Sequence, residues 1–388
     1  MRICLVSLDF VPYRSSGLAV YAENLARGLT KQGHQVTVIA SGPRNPSAPE
    51  EDGYAERIVR LPVGPSNWIG YAFRACRMLE RMQQEMVFDV VHFSDVHFAY
   101  AYRGSFVASL HQSFRQRLLA KDGLPYHSSL PNLVGRYVYY NLAMLFPERR
   151  CVQKASRLIA VSDATRQEFV EHYPVDEAKV DVVWEGINTN RFRRRDVTAL
   201  RQSLNLARER ILLYVGFSTP RKGMEYLGQA LRLLDDDVRL MIIGRWERGY
   251  RERFLQVIGD QAWRIIEMGY VPDEEMPAYY SLADVLVLPS LLEGFGLPLV
   301  EAMACATPVV ATTAGSIPEV VGDAGILVPP RDHRALADGI NRILGEDGLR
   351  RHLGSVAEER VQKHFSVDRM AAGTLAVYDG YLSDSGLQ

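Results

Sequence analysis

Short apolar runs alternate with stretches of helical period along the chain. Residues Ile3 to Leu8 read as a buried strand; after the polar turn "SSG", Leu18, Tyr21, Leu25 and Leu29 recur at helical spacing until Gly33. The run "HQVTVIA" is the next strand, and "DVVHF", "SFVASLH" and "SRLIAVS" continue the series, with helical stretches near Asn67 to Glu85 and Leu130 to Lys154. Regular alternation of strand and helix predicts a parallel α/β sheet, because parallel neighbours need a crossover and a helix supplies it. Past "VVWEGINTNRFRRRD" the alternation restarts with "ILLYVGF", "VRLMIIG", "IIEMGYV", "ADVLVLP", "TPVVATT" and "GILVPP". The polar, arginine-rich piece Asn188 to Asp196 marks the expected boundary. We therefore expect a first doubly wound domain over 1–188, a second over 189–365, and a last helix over 366–388 that could pack back on the first.

Composition agrees with two domains, since 388 residues exceed one comfortable core. A formal net charge of −1, with neither an acidic nor a basic tail, gives no electrostatic pull toward nucleic acid. Cys4, Cys76, Cys151 and Cys305 are scattered without a Cys-x-x-Cys pair, which argues against a zinc site and a disulfide framework and for buried thiols. The start "MRICLVSLDFVP" passes into Asp9 too soon for a signal segment, and no run of eighteen apolar residues occurs. The expected location is the cytoplasm.

Ligands of doubly wound sheets bind outside the carboxyl ends of the strands, so the candidate chemistry should follow strands, and with two domains the cleft between them is the expected site. In "YVGFSTPRKGMEYL" a strand ends at Val215, Gly216 turns the chain, and Arg221-Lys222-Gly223 stands just before a helix. Cations beside helix-start amides suit phosphate, although a solvated basic turn would explain the tripeptide by itself. Neither a Walker loop nor a dinucleotide fingerprint is present. In "EGFGLPLVEAMACATPVVATTAGSIPEVV", Glu293 follows the strand "ADVLVLPS", Gly294-Phe295-Gly296 lets the backbone approach a ligand, and Pro298 suits a first helical turn. Glu301 falls about one turn inside that helix. Two carboxylates with neighbouring amides can grip several hydroxyls and a phosphate; a surface glutamate plus a dipole-favoured one explains each acid singly but not the arrangement. The run Asp235 to Asp237 could suggest a metal-binding Asp-x-Asp, but its place between helix and strand favours a solvated turn.

Together, "EGFGLPLVEA", "PRKG" and "GSIPEVV" resemble the retaining GT-B nucleotide-sugar glycosyltransferases of glycosyltransferase family 4. The resemblance covers nearly the whole chain, through "SSGLAVYAENLARGLTKQGHQVTVIA", "FDVVHFSD", "SLHQS" and "SRLIAVSDATR". It implies two Rossmann-like domains facing a central cleft, the first binding the acceptor and the second the nucleotide sugar. It also implies site roles. Glu293 and the backbone of Gly294, Phe295, Gly296 and Leu297 would meet the donor sugar, Glu301 the ribose diol, and Lys222 with helix-start amides the diphosphate. Gly17 would line the approach to the phosphates, and His111 would lie near the donor sugar. Three departures stand out. Phe217 occupies the place of the family's usual arginine, which leaves Arg221 or Arg245 to supply a second cation. Ser16-Gly17 stands for a pair of glycines, and "WEGIN" for a Pro-Asn-Gly linker. His92 and Asp95 match weakly, as structural residues or acceptor wall.

The implied activity is metal-independent transfer of a hexose-type sugar, with retained configuration, from a nucleotide diphosphate sugar to an acceptor hydroxyl. The donor is a substrate, and no cofactor is implied. The acceptor is a glycan, a lipid-linked molecule or a small metabolite, and the tyrosine-rich stretch Asp95 to Phe146, with His97 and His127, is expected to shape its site. Arg74, Arg77 and Arg81 share a helix face near Trp68 and Tyr71, which suits a solvated face better than contact with anionic lipid at the inner face of a membrane. Two rivals remain: a nucleotide-sugar epimerase or hydrolase of the same fold, told apart by its product, and a non-catalytic nucleotide-sugar-binding module, excluded by any turnover.

Overall fold

The computed structural model describes residues 1–13, 16–42, 54–64, 67–120, 134–135, 138 and 145–385. The chain divides into two compact units: Met1–Arg115, Tyr139–Gly186 and Ser366–Gln388 form the first, and Gln116–Val138 and Ile187–Phe365 the second.

The first unit holds seven parallel strands, β1 (Arg2–Val6), β2 (Gln35–Ser41), β3 (Arg57–Leu61), β4 (Val90–Phe93), β5 (Val107–Leu110), β6 (Arg157–Ala160) and β7 (Val180–Val182). Their order is β3-β2-β1-β4-β5-β6-β7, with Cys4 of β1 in register with Thr37 on one side and Val91 on the other. Five of them are the runs read from the sequence. The other two, β3 and β7, are the sheet's edges: arginines interrupt "RIVRL", and β7 is three residues long with Asp181 at its centre. An edge strand has one paired side and buries less, so its apolar signal is weak. Helix Gly17–Lys31 buries Tyr21, Leu25 and Leu29, the stripe its spacing predicts. Helix Trp68–Met82 is capped by Asn67, whose side chain accepts from Gly70 N. The helix expected from Leu130 is found as Phe146–Lys154; Leu130 and His127 lie outside the described residues.

Helix Val367–Ser385 belongs to this first unit. Lys31 Nζ meets Asp368 Oδ2 at 2.6 Å, and the buried His92 Nδ1 lies 2.6 Å from Tyr378 Oη. His92 is thus structural: its Nε2 lies 2.8 Å from Ser109 Oγ, and burial lowers its pKa to about 3. The four cysteines are buried and free, and burial pushes Cys76, Cys151 and Cys305 up to about 12.

The second unit holds six parallel strands, β8 (Arg210–Val215), β9 (Val238–Ile243), β10 (Ile265–Gly269), β11 (Val285–Leu288), β12 (Val309–Thr312) and β13 (Gly325–Val328), in the order β10-β9-β8-β11-β12-β13. All six runs predicted for this half are strands. The acidic run just before β9 is a surface ion-pair cluster: Arg210 Nη2 reaches Asp235 Oδ2 at 2.9 Å and Asp237 Oδ1 at 2.5 Å. Each sheet is doubly wound, and its strand order reverses once, between β1 and β4 in the first unit and between β8 and β11 in the second. Connections leave such a pair in opposite directions and open a crevice at its carboxyl end. Among the described residues, no helix is long and apolar enough to cross a membrane.

Candidate functional site

Lys222 and Glu293 follow β8 and β11, the two strands that flank the reversal in the second sheet. The chain after Val215 reaches a short 3-10 turn, Pro220–Lys222, closed by Gly223 at φ +68°. A Cβ on Gly223 would stand 1.9 Å from the carbonyl oxygen of Pro289, so only glycine lets this turn lie against the end of β11. Leu291 N then donates to Arg221 O at 2.7 Å, which joins the two loops. The result is an ion pair: Lys222 Nζ lies 2.5 Å from Glu293 Oε2, with side chains only 13% and 9% exposed.

The Glu293 carboxylate is held from several sides. Ser290 Oγ donates to its Oε2 at 2.9 Å, and Thr312 Oγ1 in turn donates to the Ser290 carbonyl at 2.5 Å. The loop after β12 reaches its backbone. Gly315, at φ +55°, sits where a Cβ would be 2.1 Å from Glu293 O, and Ser316 N points at that same carbonyl from 3.4 Å. Ser316 Oγ donates to Phe295 O at 3.1 Å. These contacts give the "GSIPEVV" motif a role: it fixes the turn Glu293 to Gly296. Gly294 lies within that turn, and Gly296, at φ +94°, leads into helix Leu297–Ala304. Glu301, within this helix, accepts from Tyr280 Oη at 2.5 Å, and Thr307 Oγ1 holds the Tyr280 carbonyl at 2.7 Å.

The electrostatics favour an added anion. Burial pushes the Glu293 carboxyl up, but Lys222 and Arg221 outweigh it and hold the group below its ordinary value. Burial pushes the Lys222 ammonium down; Glu293 opposes this and Arg221 adds to it, leaving Lys222 below its ordinary value. Two cations therefore face one carboxylate in a largely buried place. Arg221 contributes to both shifts and points Nη1 at Leu292 O from 3.4 Å. Arg245 is exposed, and its carbonyl accepts from Ser218 N at 2.8 Å. Phe217 is half exposed.

In the first unit, Gly17 opens its helix, and Ser16 turns its hydroxyl to Asp9 Oδ2 at 3.0 Å. His111 follows β5 and lies between Glu185 and the Ser94 carbonyl. Beyond β4, His97 is buried between two acids: it pairs closely with Asp95, and its Nε2 lies 3.3 Å from Oε1 of the fully buried Glu148. Glu148 also accepts from Phe114 N at 3.0 Å and from Tyr173 Oη. Asp95, read as structural or acceptor wall, and His97, expected to help shape the acceptor site, belong to a buried network that ties four segments together. On helix Trp68–Met82, Arg74, Arg77 and Arg81 are exposed; Arg77 lines a cavity of about 580 Å³ with Arg103, Arg150 and Lys154.

Tyr280, Ser290, Ser316 and Glu185 were not anticipated as site residues. Ser290 carries a usable signal, because it stands just after a buried strand, and Ser316 lies within the "GSIPEVV" motif; Tyr280 and Glu185 carry none.

Two family models divide the chain between them. The model described as Glycosyltransferase Family 4 matches residues 15–191, and that described as Glycosyl transferases group 1 matches residues 196–360. The MMP alpha-(1->4)-mannosyltransferase of Mycolicibacterium hassiacum is 30% identical, over 98% of each chain. An uncharacterized glycosyltransferase of Methanocaldococcus jannaschii is 28% identical, over 97% of this chain and 98% of its own. Among solved structures, sucrose-phosphate synthase from Thermosynechococcus elongatus shares the fold, with a TM-score of 0.82 at 24% identity over 99% of each chain.

Proposed function

Because the chain belongs to glycosyltransferase family 4, with the GT-B fold and the glycosyl transferases group 1 model over its second half, we propose that it is a retaining hexosyltransferase using a nucleotide diphosphate sugar. The observation that carries this reading is the pair Lys222–Glu293 with Arg221 beside it, a cationic place with one fixed acceptor at a strand-order reversal. Lys222, Arg221 and the amides that open helix Leu297–Ala304 hold the donor diphosphate. Glu293 and the backbone of Gly294, Phe295, Gly296 and Leu297 hold the hexose hydroxyls, and Glu301 takes the ribose diol. The first unit takes the acceptor hydroxyl, while its Gly17 lines the approach to the phosphates and its His111 lies near the donor sugar. The mannosyltransferase name of a relative matched over 98% of each chain supports a hexose.

In this mechanism the acceptor oxygen forms a bond to the anomeric carbon on the face from which the diphosphate departs. The acceptor proton passes to a diphosphate oxygen. Lys222 and Arg221 stabilise the charge that grows on the leaving diphosphate, so preorganised protein cations do the work a metal ion does elsewhere. The enzyme works in the cytoplasm, and the exposed arginines of helix Trp68–Met82 would be its contact with the inner face of a membrane if the acceptor is lipid-linked.

A panel of nucleoside diphosphate sugars, first screened by melting shift, tests the reading. With donor and acceptor, release of nucleoside diphosphate should persist in EDTA, and proton NMR of the product should show the donor's anomeric configuration. Turnover abolished by EDTA and restored by magnesium or manganese removes metal independence, and an inverted product removes retention. Free sugar or an epimer without any glycoside favours the epimerase or hydrolase alternative.

A further inference from the structure

His111 has both ring nitrogens engaged. Nε2 lies 2.9 Å from the carbonyl oxygen of Ser94, and a carbonyl can only accept, so Nε2 carries a proton. Nδ1 lies 3.2 Å from Glu185 Oε1, with the Glu185 side chain 7% exposed. The ring stands edge-on to Tyr21 at 4.7 Å between centroids, and the Tyr21 hydroxyl is occupied by Ser109 Oγ at 2.7 Å. Glu185 is itself fixed through the next residue, since Asn24 Nδ2 donates to Gly186 O at 2.9 Å and a Cβ on Gly186 would stand 2.4 Å from Ser366 O. The segment "WEGIN", which departs from the family's usual linker, thus supplies the partner of His111.

The groups facing this imidazole come from four elements. Glu185 comes from the segment after β7, Asp95 from the turn after β4, His92 from β4, and Tyr21 from helix Gly17–Lys31. Burial alone would push His111 down, but Glu185, Asp95 and the Ser94 carbonyl outweigh it and raise it above its ordinary value. His92, lowered to about 3 by burial, is neutral and does not repel. Tyr21, raised by burial, is neutral as well.

We propose that Glu185 is a positioning residue that holds His111 doubly protonated, so that His111 serves as a fixed cation at the carboxyl end of the first sheet and not as a general base. The inference rests on the transferase reading above and deepens it. No proton passes through His111: the acceptor proton leaves to the diphosphate oxygen while the C–O bond to the diphosphate breaks. The imidazolium contributes through its fixed charge and not through a transferable proton.

The test uses the full chain with labelled histidines. The His111 signal, identified by its loss in His111→Asn, is titrated by NMR in the wild type and in Glu185→Gln, which keeps the shape and removes the charge. The midpoint should fall in Glu185→Gln, and the alkaline limb of kcat/KM should move to lower pH with it. Activity should fall most at the alkaline end of the profile, by about tenfold, and least at its acid end. Glu185→Asp, which restores the carboxylate, should recover part of the loss. An unchanged midpoint in a Glu185→Gln protein of normal melting temperature overturns the proposal, as does an equal loss of activity at every pH. If the wild type turns over no nucleotide sugar, the transferase reading fails, and the His111 titration alone decides whether Glu185 holds the charge.

Discussion

Lys222 Nζ and Glu293 Oε2, 2.5 Å apart, are each other's counter-ion in a place that also feels Arg221. A ligand phosphate arriving there must share Lys222 with Glu293. Glu293→Gln should therefore leave nucleoside diphosphate affinity unchanged or raise it, while turnover falls about a hundredfold because the hexose loses its fixed acceptor. Lys222→Met leaves the largely buried Glu293 carboxylate without its nearest cation, and should cost roughly 3–5 kcal/mol of stability as well as diphosphate binding. Calorimetric titration with nucleoside diphosphate and steady-state rates read both variants. A Glu293→Gln protein that loses diphosphate affinity contradicts this division of roles.

The approach of Gly223 to Pro289 has a sharper consequence. Gly223→Ala adds a Cβ 1.9 Å from a backbone oxygen, at φ +68°. The strain of that conformation for an L residue is about 1–2 kcal/mol, and the clash adds to it. Urea unfolding should show a loss above about 3 kcal/mol. A loss below about 1 kcal/mol would mean that the two loops do not lie this close.

The second sheet was fully legible because its strands are short apolar runs separated by clear helices, with β11 and β12 buried at every position. In the first sheet, β3 and β7 escape the reading because Arg57 and Arg60 interrupt one short run and Asp181 the other, whereas the edges β10 and β13 of the second sheet keep apolar runs. Glu293 and Glu301 stood out because both acids lie in one short stretch around glycines. Their supports did not. Tyr280 reads as one more core aromatic of helix Met276–Leu282, and only the aim of its hydroxyl, 21 residues away in sequence from Glu301, reveals its use. Glu185 is 74 residues from His111, and no local pattern links them.

The buried His97 gives the first unit a stability that depends on pH. Burial lowers the His97 pKa, but Asp95 and Glu148 outweigh it and raise the group from 6.5 to about 10. A raised folded-state value stabilises fully below about 6.5, and the contribution is lost as pH rises through about 10. Asp95 moves the other way: burial raises it, but the His97 charge prevails and lowers it from 3.8 to about 2. Its contribution is present above about 3.8 and is lost as pH falls through about 2. Urea midpoints across pH should therefore decline between about 6.5 and 10, and His97→Asn should flatten that decline. A decline of equal slope in the variant would place its origin elsewhere.

Variants at Tyr280 and Glu301 test whether ribose recognition is separate from sugar recognition. Glu301 accepts the buried Tyr280 hydroxyl at 2.5 Å, which orients the carboxylate and leaves lone pairs for further donors. If those donors are the ribose hydroxyls, Glu301→Gln should weaken free nucleoside diphosphate and intact donor alike. The loss is roughly 1.5–3 kcal/mol, or about 10- to 100-fold, for a charge-assisted hydrogen bond. Tyr280→Phe keeps the carboxylate and removes only its orientation, so diphosphate affinity should fall by less than in Glu301→Gln. Its stability should fall by roughly 1.5–3 kcal/mol, as one hydrogen bond to a charged, half-buried carboxylate is lost. If Glu293 meets the hexose and not the ribose, its glutamine variant should show none of this loss. Titration of the three variants with nucleoside diphosphate alone decides the matter: equal losses in Glu301→Gln and Glu293→Gln, or none in Glu301→Gln, would remove the ribose from Glu301 even in an active glycosyltransferase.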